Sequence, residues 1–249
     1  MSKKHRSKTI GPDRSVLVPQ REKVKLQLHI RERSDYTEKQ KVILETALEK
    51  QTRCIFIDGI WGTTKSFLCV LAALRLLNAG KVKGITYIRN PIEASAFGKV
   101  GLLPGSLSER MEPYNAILYE KLDELLPKNE IDFLANDERV KCLPLSFVRG
   151  RSWNCEAIIV DEAASMTYDD LLLLLSRCGE FTRIFFIADT ACQNELGSKS
   201  GFGKMFQMFN DRESMENGVF CFELKEREDI LRSGFLRFIM EKTGVLKRI

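Results

Sequence analysis

Histidine is nearly absent from this chain of 249 residues, with only His5 and His29 present. Its seven cysteines (54, 69, 142, 155, 178, 192 and 221) stand singly, and no two form a CxxC pair. These scarcities argue against structural zinc, whose ligands come in close Cys/His spacings, and against a disulfide framework. Most of the cysteines fall inside apolar segments, which fits buried, inert thiols in a reducing cytoplasm. No apolar run approaches the ~18 to 20 residues that span a bilayer. The first residues, MSKKHRSK, lack the apolar core of a signal peptide. A cytoplasmic protein without membrane contact is therefore expected. Internal repeats and low-complexity segments are missing too.

What is present is ordinary globular material, 44% hydrophobic and 29% charged, and enough of it to bury a substantial core. The net charge of +5 is unevenly placed. The basic excess sits in residues 1–34, and the remainder of the chain is slightly acidic. A basic N-terminal arm, residues 1–35, is thus expected ahead of one domain covering residues 36–249. Within the arm, SVLVPQREKVKLQLHIRER alternates enough for a short strand or two.

Beyond the arm, short apolar runs read as strands: CIFIDG (54–59), GITYIR (84–89), KCLPLSFV (141–148), AIIVDE (157–162), RIFFIAD (183–189) and VFCFEL (219–224). Helical patterns separate most of them. One starts at Thr37, and others cover 65–77, 108–126, 169–178, 201–209 and 229–242. Nearly all-apolar strands alternating with helices describe an α/β fold, a mainly parallel sheet with helices on both faces.

One stretch carries chemistry. GIWGTTKS, Gly59 to Ser66, almost satisfies the phosphate-binding pattern G-x-x-x-x-G-K-[ST], except that Thr64 stands where a glycine precedes the lysine. The string is weak alone, but it follows a strand and opens a helix. Such a turn aims several backbone N–H groups and the positive end of the helix dipole at one spot. Gly59, Trp61, Gly62, Thr63, Thr64 and Lys65 would then surround the phosphates of ATP, with Lys65 reaching the β- and γ-groups and Ser66 holding Mg²⁺. The bland alternative is a helix start with a solvated lysine.

A second element supports the first. IIVDEA places Asp161 and Glu162 at a strand end, where Asp161 suits the magnesium and Glu162 the attacking water. A third strand ends in Asp189, with Gln193 four residues on. Its C-terminal edge would lie beside the other two, where ligands of parallel sheets bind.

At this point IDGIWGTTKS, YIRNPIEASAFGKVGLLPGSLSERMEPY, LPLSFVRGRSWNCEAIIVDEAASM and ADTACQNELGSKSGFGKM resemble, in order, the motifs of PhoH-like ATPases. These are P-loop proteins related to the first RecA-like domain of superfamily 1 helicases. The resemblance covers roughly residues 36–242, and the shortness of the chain suits a minimal, phage-encoded member. It implies that Gln40 reads adenine, that Gln193 senses the γ-phosphate, and that Arg89 and Glu93 lie toward nucleic acid. Arg149 and Arg151 match an RGRT-like segment, and Arg232 matches the arginine of a DVVRH-like motif. It also implies RNA or single-stranded nucleic acid as partner and a homo-oligomeric ring, a hexamer in relatives. Arg232 could serve as arginine finger in cis or in a neighbouring subunit.

Three departures stand out: Thr64, Ala188 before Asp189, and Asn90 after Arg89 with Pro91 displaced. A β-branched residue at position 64 would disfavour the torsions the loop needs. The expected activity is a Mg²⁺-dependent, helicase-like ATPase. The rivals are an ATP-binding assembly or regulatory module that hydrolyses little because of Thr64, and a small-molecule kinase, for which no acceptor pocket is visible in the sequence. The basic arm offers phosphate contacts but almost no aromatic residues for stacking bases.

Overall fold

A computed structural model describes residues 26–89, 107–192 and 196–247. Six strands form one sheet: β1 (Cys54–Gly59), β2 (Gly84–Arg89), β3 (Val140–Pro144), β4 (Glu156–Asp161), β5 (Arg183–Ala188) and β6 (Val219–Leu224). Their order is β3-β2-β4-β5-β1-β6, and every pairing is parallel. This is the parallel α/β sheet expected from the alternation, and it is consistent with the RecA-like P-loop fold that the resemblance implied. All strand C-termini share one edge, and β5 separates β1 from β4, so the ends of these three lie side by side.

The central strands are buried on both faces because both are covered, which is why they read as unbroken apolar runs. Ile55, Ile57, Tyr87, Ile159 and Phe185 meet α1 (Glu38–Leu48), α2 (Lys65–Asn78), α3 (Leu107–Leu125) and α4 (Lys128–Asn136). The alternate residues Phe56, Ile158, Val160 and Phe186 pack against α5 (Tyr168–Leu175) and α6 (Phe202–Phe209). Phe56 stacks on Phe186, with ring centroids 4.8 Å apart. The chain ends in α7 (Arg212–Glu216), β6 and α8 (Gly234–Lys242). No helix among the described residues is long and apolar enough to cross a membrane.

Several expectations need correction. β3 stops at Pro144 and passes into a 3-10 turn at Leu145–Phe147, because proline has no N–H to extend a ladder. The helix expected over 229–242 begins only at Gly234, where the Ser233 side chain accepts from the Leu236 N–H and caps it. The preceding residues do other work: the N–H groups of Leu231 and Arg232 donate to Gly62 O. Helices α4 and α7 are not foreshadowed by the sequence pattern.

The alternation before residue 34 makes no strand within residues 26–33. That segment instead lies on the body. Leu28 is buried in the core, its N–H donates to Asn78 Oδ1, and the Arg31 N–H donates to Leu125 O. Part of the segment assigned to the arm from sequence thus packs on the body at Leu28 and Arg31. Residues 1–25 lie outside the described residues.

Candidate functional site

β1 delivers Gly59 to the sheet edge, and α2 starts at Lys65. The turn between them is packed tightly against the segment that leaves β6. A Cβ on Gly59 would sit 2.8 Å from Leu224 O, and one on Gly62, at φ +85°, would overlap Leu236 Cδ2. Inside the turn the buried Thr63 hydroxyl donates to Ile60 O at 2.7 Å. Lys65 Nζ donates to Gly59 O at 2.5 Å and Ile60 O at 2.8 Å, closing the loop on itself. Burial lowers the Lys65 pKa, while Asp189, Asp161, Glu162 and Asp58 oppose that shift. A triphosphate would supply the negative charge this ammonium is short of.

Thr64 adopts φ 60°, ψ 23°, the left-handed conformation that the pattern reserves for glycine. For a β-branched residue this costs roughly 1–2 kcal/mol. The loop therefore keeps its backbone shape despite the substitution. Gln40 is spent in supporting it. Its amide nitrogen faces Thr63 O at 3.3 Å, Asp229 O at 3.4 Å and Thr64 Oγ1 at 3.5 Å, and its oxygen accepts from the Thr37 N–H. Gln40 is 0% exposed. The adenine-reading role that resemblance implied finds no free amide here, because the side chain is enclosed between α1 and the loop.

The carboxylate side assembles from β2 and β4. Register sets Arg89 opposite Asp161. Ser66 Oγ donates to Asp161 Oδ1 at 3.3 Å, the Glu162 N–H donates to the same oxygen at 3.0 Å, and the buried Tyr87 hydroxyl donates to Asp161 Oδ2. Glu162 leaves the strand at φ 55°, a second non-glycine residue in the left-handed region. Its pKa is raised by burial and then by Asp161, while Arg89 and Lys65 act in the opposite sense. Tyr87 was missed from sequence. Its only signal there was a second hydroxyl beside Thr86 in a mainly apolar strand, two residues before Arg89.

From the third strand, Asp189 accepts from the Cys192 N–H through Oδ1, while its buried Oδ2 has no hydrogen-bond partner among the described residues. Nearby, the buried Asp58 carboxylate accepts from the Thr190 N–H and hydroxyl and pairs with Lys225 Nζ at 2.7 Å. This contact, also unforeseen, ties the segment after β5 to the end of β6. Lys65, Ser66, Asp161, Glu162, Asp189 and Arg232 line one cleft of about 390 Å³.

These residues fit a nucleotide with Mg²⁺. The unpartnered Asp189 oxygen marks a place where a polar ligand or water is wanted. Ser66 and Asp161 offer two oxygen donors. No cluster of three or more His, Cys, Asp or Glu able to hold a metal occurs among the described residues. Two protein oxygens are enough for Mg²⁺, which keeps several waters and is shared with substrate phosphates.

Residues 33–243 match the family described as PhoH-like protein. The chain belongs to the PhoH-like family. It is accordingly a P-loop protein of ATP-binding type, as its motifs implied. Among curated relatives it is 29% identical to a PhoH-like protein of Bacillus subtilis over 197 residues, 78% of this chain and 59% of that protein. It is 31% identical to Protein PhoH2 of Mycolicibacterium smegmatis over 157 residues, 63% of this chain and 36% of the relative. A PhoH-like protein of Synechocystis matches at 29% over 188 residues, 75% of this chain and 55% of its own length. The chain therefore spans only about a third to three-fifths of these PhoH-like relatives.

The remaining candidates divide. Arg232 lines its own chain's cleft and forms no ion pair among the described residues. Arg89, expected toward nucleic acid, is instead 3.2 Å from Glu162 Oε1. Arg149 and Arg151 are exposed after β3 and lie outside the cleft lining, with Arg151 Nε donating to Phe147 O. Glu93, Asn90, Pro91 and Gln193 lie outside the described residues.

Proposed function

We propose that this PhoH-like chain binds ATP with Mg²⁺ and hydrolyses it. One observation carries the reading: an ammonium, a hydroxyl and three acids from three adjacent strand ends line a single cleft. Lys65 would neutralise charge at the β- and γ-phosphates, and loop N–H groups would hold their oxygens. Ser66 and Asp161 would hold Mg²⁺, which supplies charge neutralisation across the same phosphates. Glu162 takes a proton from the attacking water, and its raised pKa moves it toward the range a general base needs. Asp189, with one oxygen unpartnered, would orient that water.

The test is ATP binding and turnover by the full chain and two variants. Lys65→Ala is expected to lose both. Glu162→Gln is expected to bind ATP yet lose turnover by roughly 10²- to 10⁴-fold. Undiminished turnover in either variant would remove its assignment.

Thr64 favours a second reading, an ATP-binding assembly or regulatory module with little turnover, because its strained backbone lies at the phosphate cradle. Tight binding with negligible hydrolysis, restored by Thr64→Gly, would select it. Coupling to RNA or single-stranded nucleic acid and assembly as a homo-oligomeric ring complete the proposal. Support for the polymer comes from the basic N-terminal sequence and the resemblance to helicase relatives. Stimulation of turnover by single-stranded RNA, on material of measured mass, tests both.

A further inference from the structure

We infer that the base of a bound nucleoside triphosphate seats on the Arg33 guanidinium in the cleft, held by stacking and with its edge unread. This rests on the nucleotide reading above. It begins from Gln40, whose amide is fully enclosed and bonded to backbone and to its own helix cap, so it does not present an edge to a ligand.

Arg33 lines the same cleft as Lys65 and Ser66. Its guanidinium is contacted from two sides. Nε and Nη2 donate to the two Asp35 oxygens at 2.9 and 2.7 Å, and Cζ lies 5.9 Å from the centroid of the Phe67 ring. Phe67 follows Ser66 directly and is itself buried, so this stack stands beside the phosphate end. The Arg33 side chain keeps 35% exposure and lines the cleft. Trp61, 38% exposed, adds an indole to the lining.

A guanidinium is flat, delocalised and weakly hydrated, and it stacks on π-systems without needing the ring's hydrogen-bonding edge. Already paired with Asp35, it has less freedom to lose when a base arrives. Every base presents a π-face, so a seat of this kind discriminates poorly between bases. ATP and GTP should bind this chain within about tenfold of each other.

The experiment measures equilibrium binding of ATP, GTP and inorganic tripolyphosphate, each with Mg²⁺, to the full chain and to Arg33→Ala, Arg33→Lys and Lys65→Ala. Arg33→Ala should weaken ATP and GTP about tenfold and leave tripolyphosphate unchanged, the latter also reporting an intact fold. Arg33→Lys, which keeps the charge and loses the plane, should behave like the alanine variant. Lys65→Ala should weaken all three ligands. Full ATP affinity in Arg33→Ala or Arg33→Lys would overturn the seat. So would an equal loss of tripolyphosphate in Arg33→Ala, or a preference of the wild type between ATP and GTP of more than about tenfold. If neither tripolyphosphate nor ATP binds the wild type, the nucleotide reading itself fails and takes the seat with it.

Discussion

Arg89, the last residue of β2, holds Glu162, the first residue after β4, with Nη2 3.2 Å from Oε1. Both side chains are about one-fifth exposed, at 22% and 19%. The pair joins a residue that resemblance points toward nucleic acid with the acid proposed to activate water. It also opposes the burial that pushes the Glu162 pKa up.

The pH dependence of turnover comes from that balance. Glu162 works as a base only when ionised, and its pKa is raised, so activity on the acid side should fall at a higher pH than an ordinary glutamate would dictate. Arg89→Ala removes a charge that holds the pKa down, and it should move this acid limb to higher pH still. Profiles of kcat/KM against pH for the two proteins check this. A limb that stays put in the variant would separate Glu162 from the rate-determining ionisation.

Replacing Thr64 tests the strain in the loop. Thr64→Gly removes a left-handed β-branched residue, worth roughly 1–2 kcal/mol. It also adds unfolded-state freedom that costs about 0.4–1 kcal/mol. The net gain should raise Tm by about 1–3 °C for a domain of this size. Thermal melts decide it, and a lower Tm would mean that the Gln40–Thr64 contact outweighs the torsional cost.

Tyr87→Phe takes the hydroxyl from Asp161 Oδ2 and leaves a buried acceptor bare, at a cost of about 1–3 kcal/mol in stability. An oriented carboxylate binds metal better, so the Mg²⁺ concentration that gives half-maximal turnover should rise roughly 10- to 100-fold. A Mg²⁺ titration of ATPase activity reads this directly. An unchanged Mg²⁺ requirement would limit Tyr87 to packing.

Arg232 lines the cleft of its own chain, which argues for action in cis. Arg232→Ala should lower kcat by about 10³-fold or more while leaving ATP affinity within a few-fold. Mixing it with Lys65→Ala should restore nothing. Recovery of activity in the mixture would instead assign Arg232 to a neighbouring subunit's site.

How far the sequence could be read depends on where each signal resides. β1, β2, β4, β5 and β6 stood out because each is a short apolar run bounded by turn residues, and all are covered on two faces or lie next to a covered strand. Helix α1 announced itself by the Thr37 capping box. Helix α4 did not: Pro127 precedes it and no side chain caps it. Ile230, Leu231 and Arg232 are all compatible with a helix, yet the loop carbonyl of Gly62 draws the N–H groups of Leu231 and Arg232 out of one. Tyr87, Asp58 and Arg33 escaped notice because their partners are remote or because their importance lies in the cavity they face.

The local string determined the phosphate loop, the order of the strands along the chain and the identity of the charged groups, since these depend on neighbours a few residues apart. Tertiary structure alone decided that Gln40 is enclosed, that Arg89 meets Glu162, and that Arg33 lines the cleft. Those outcomes turn on which strands pair and on how far each side chain sinks from water. Contacts between elements set both, and no stretch of the chain records them in its own residues.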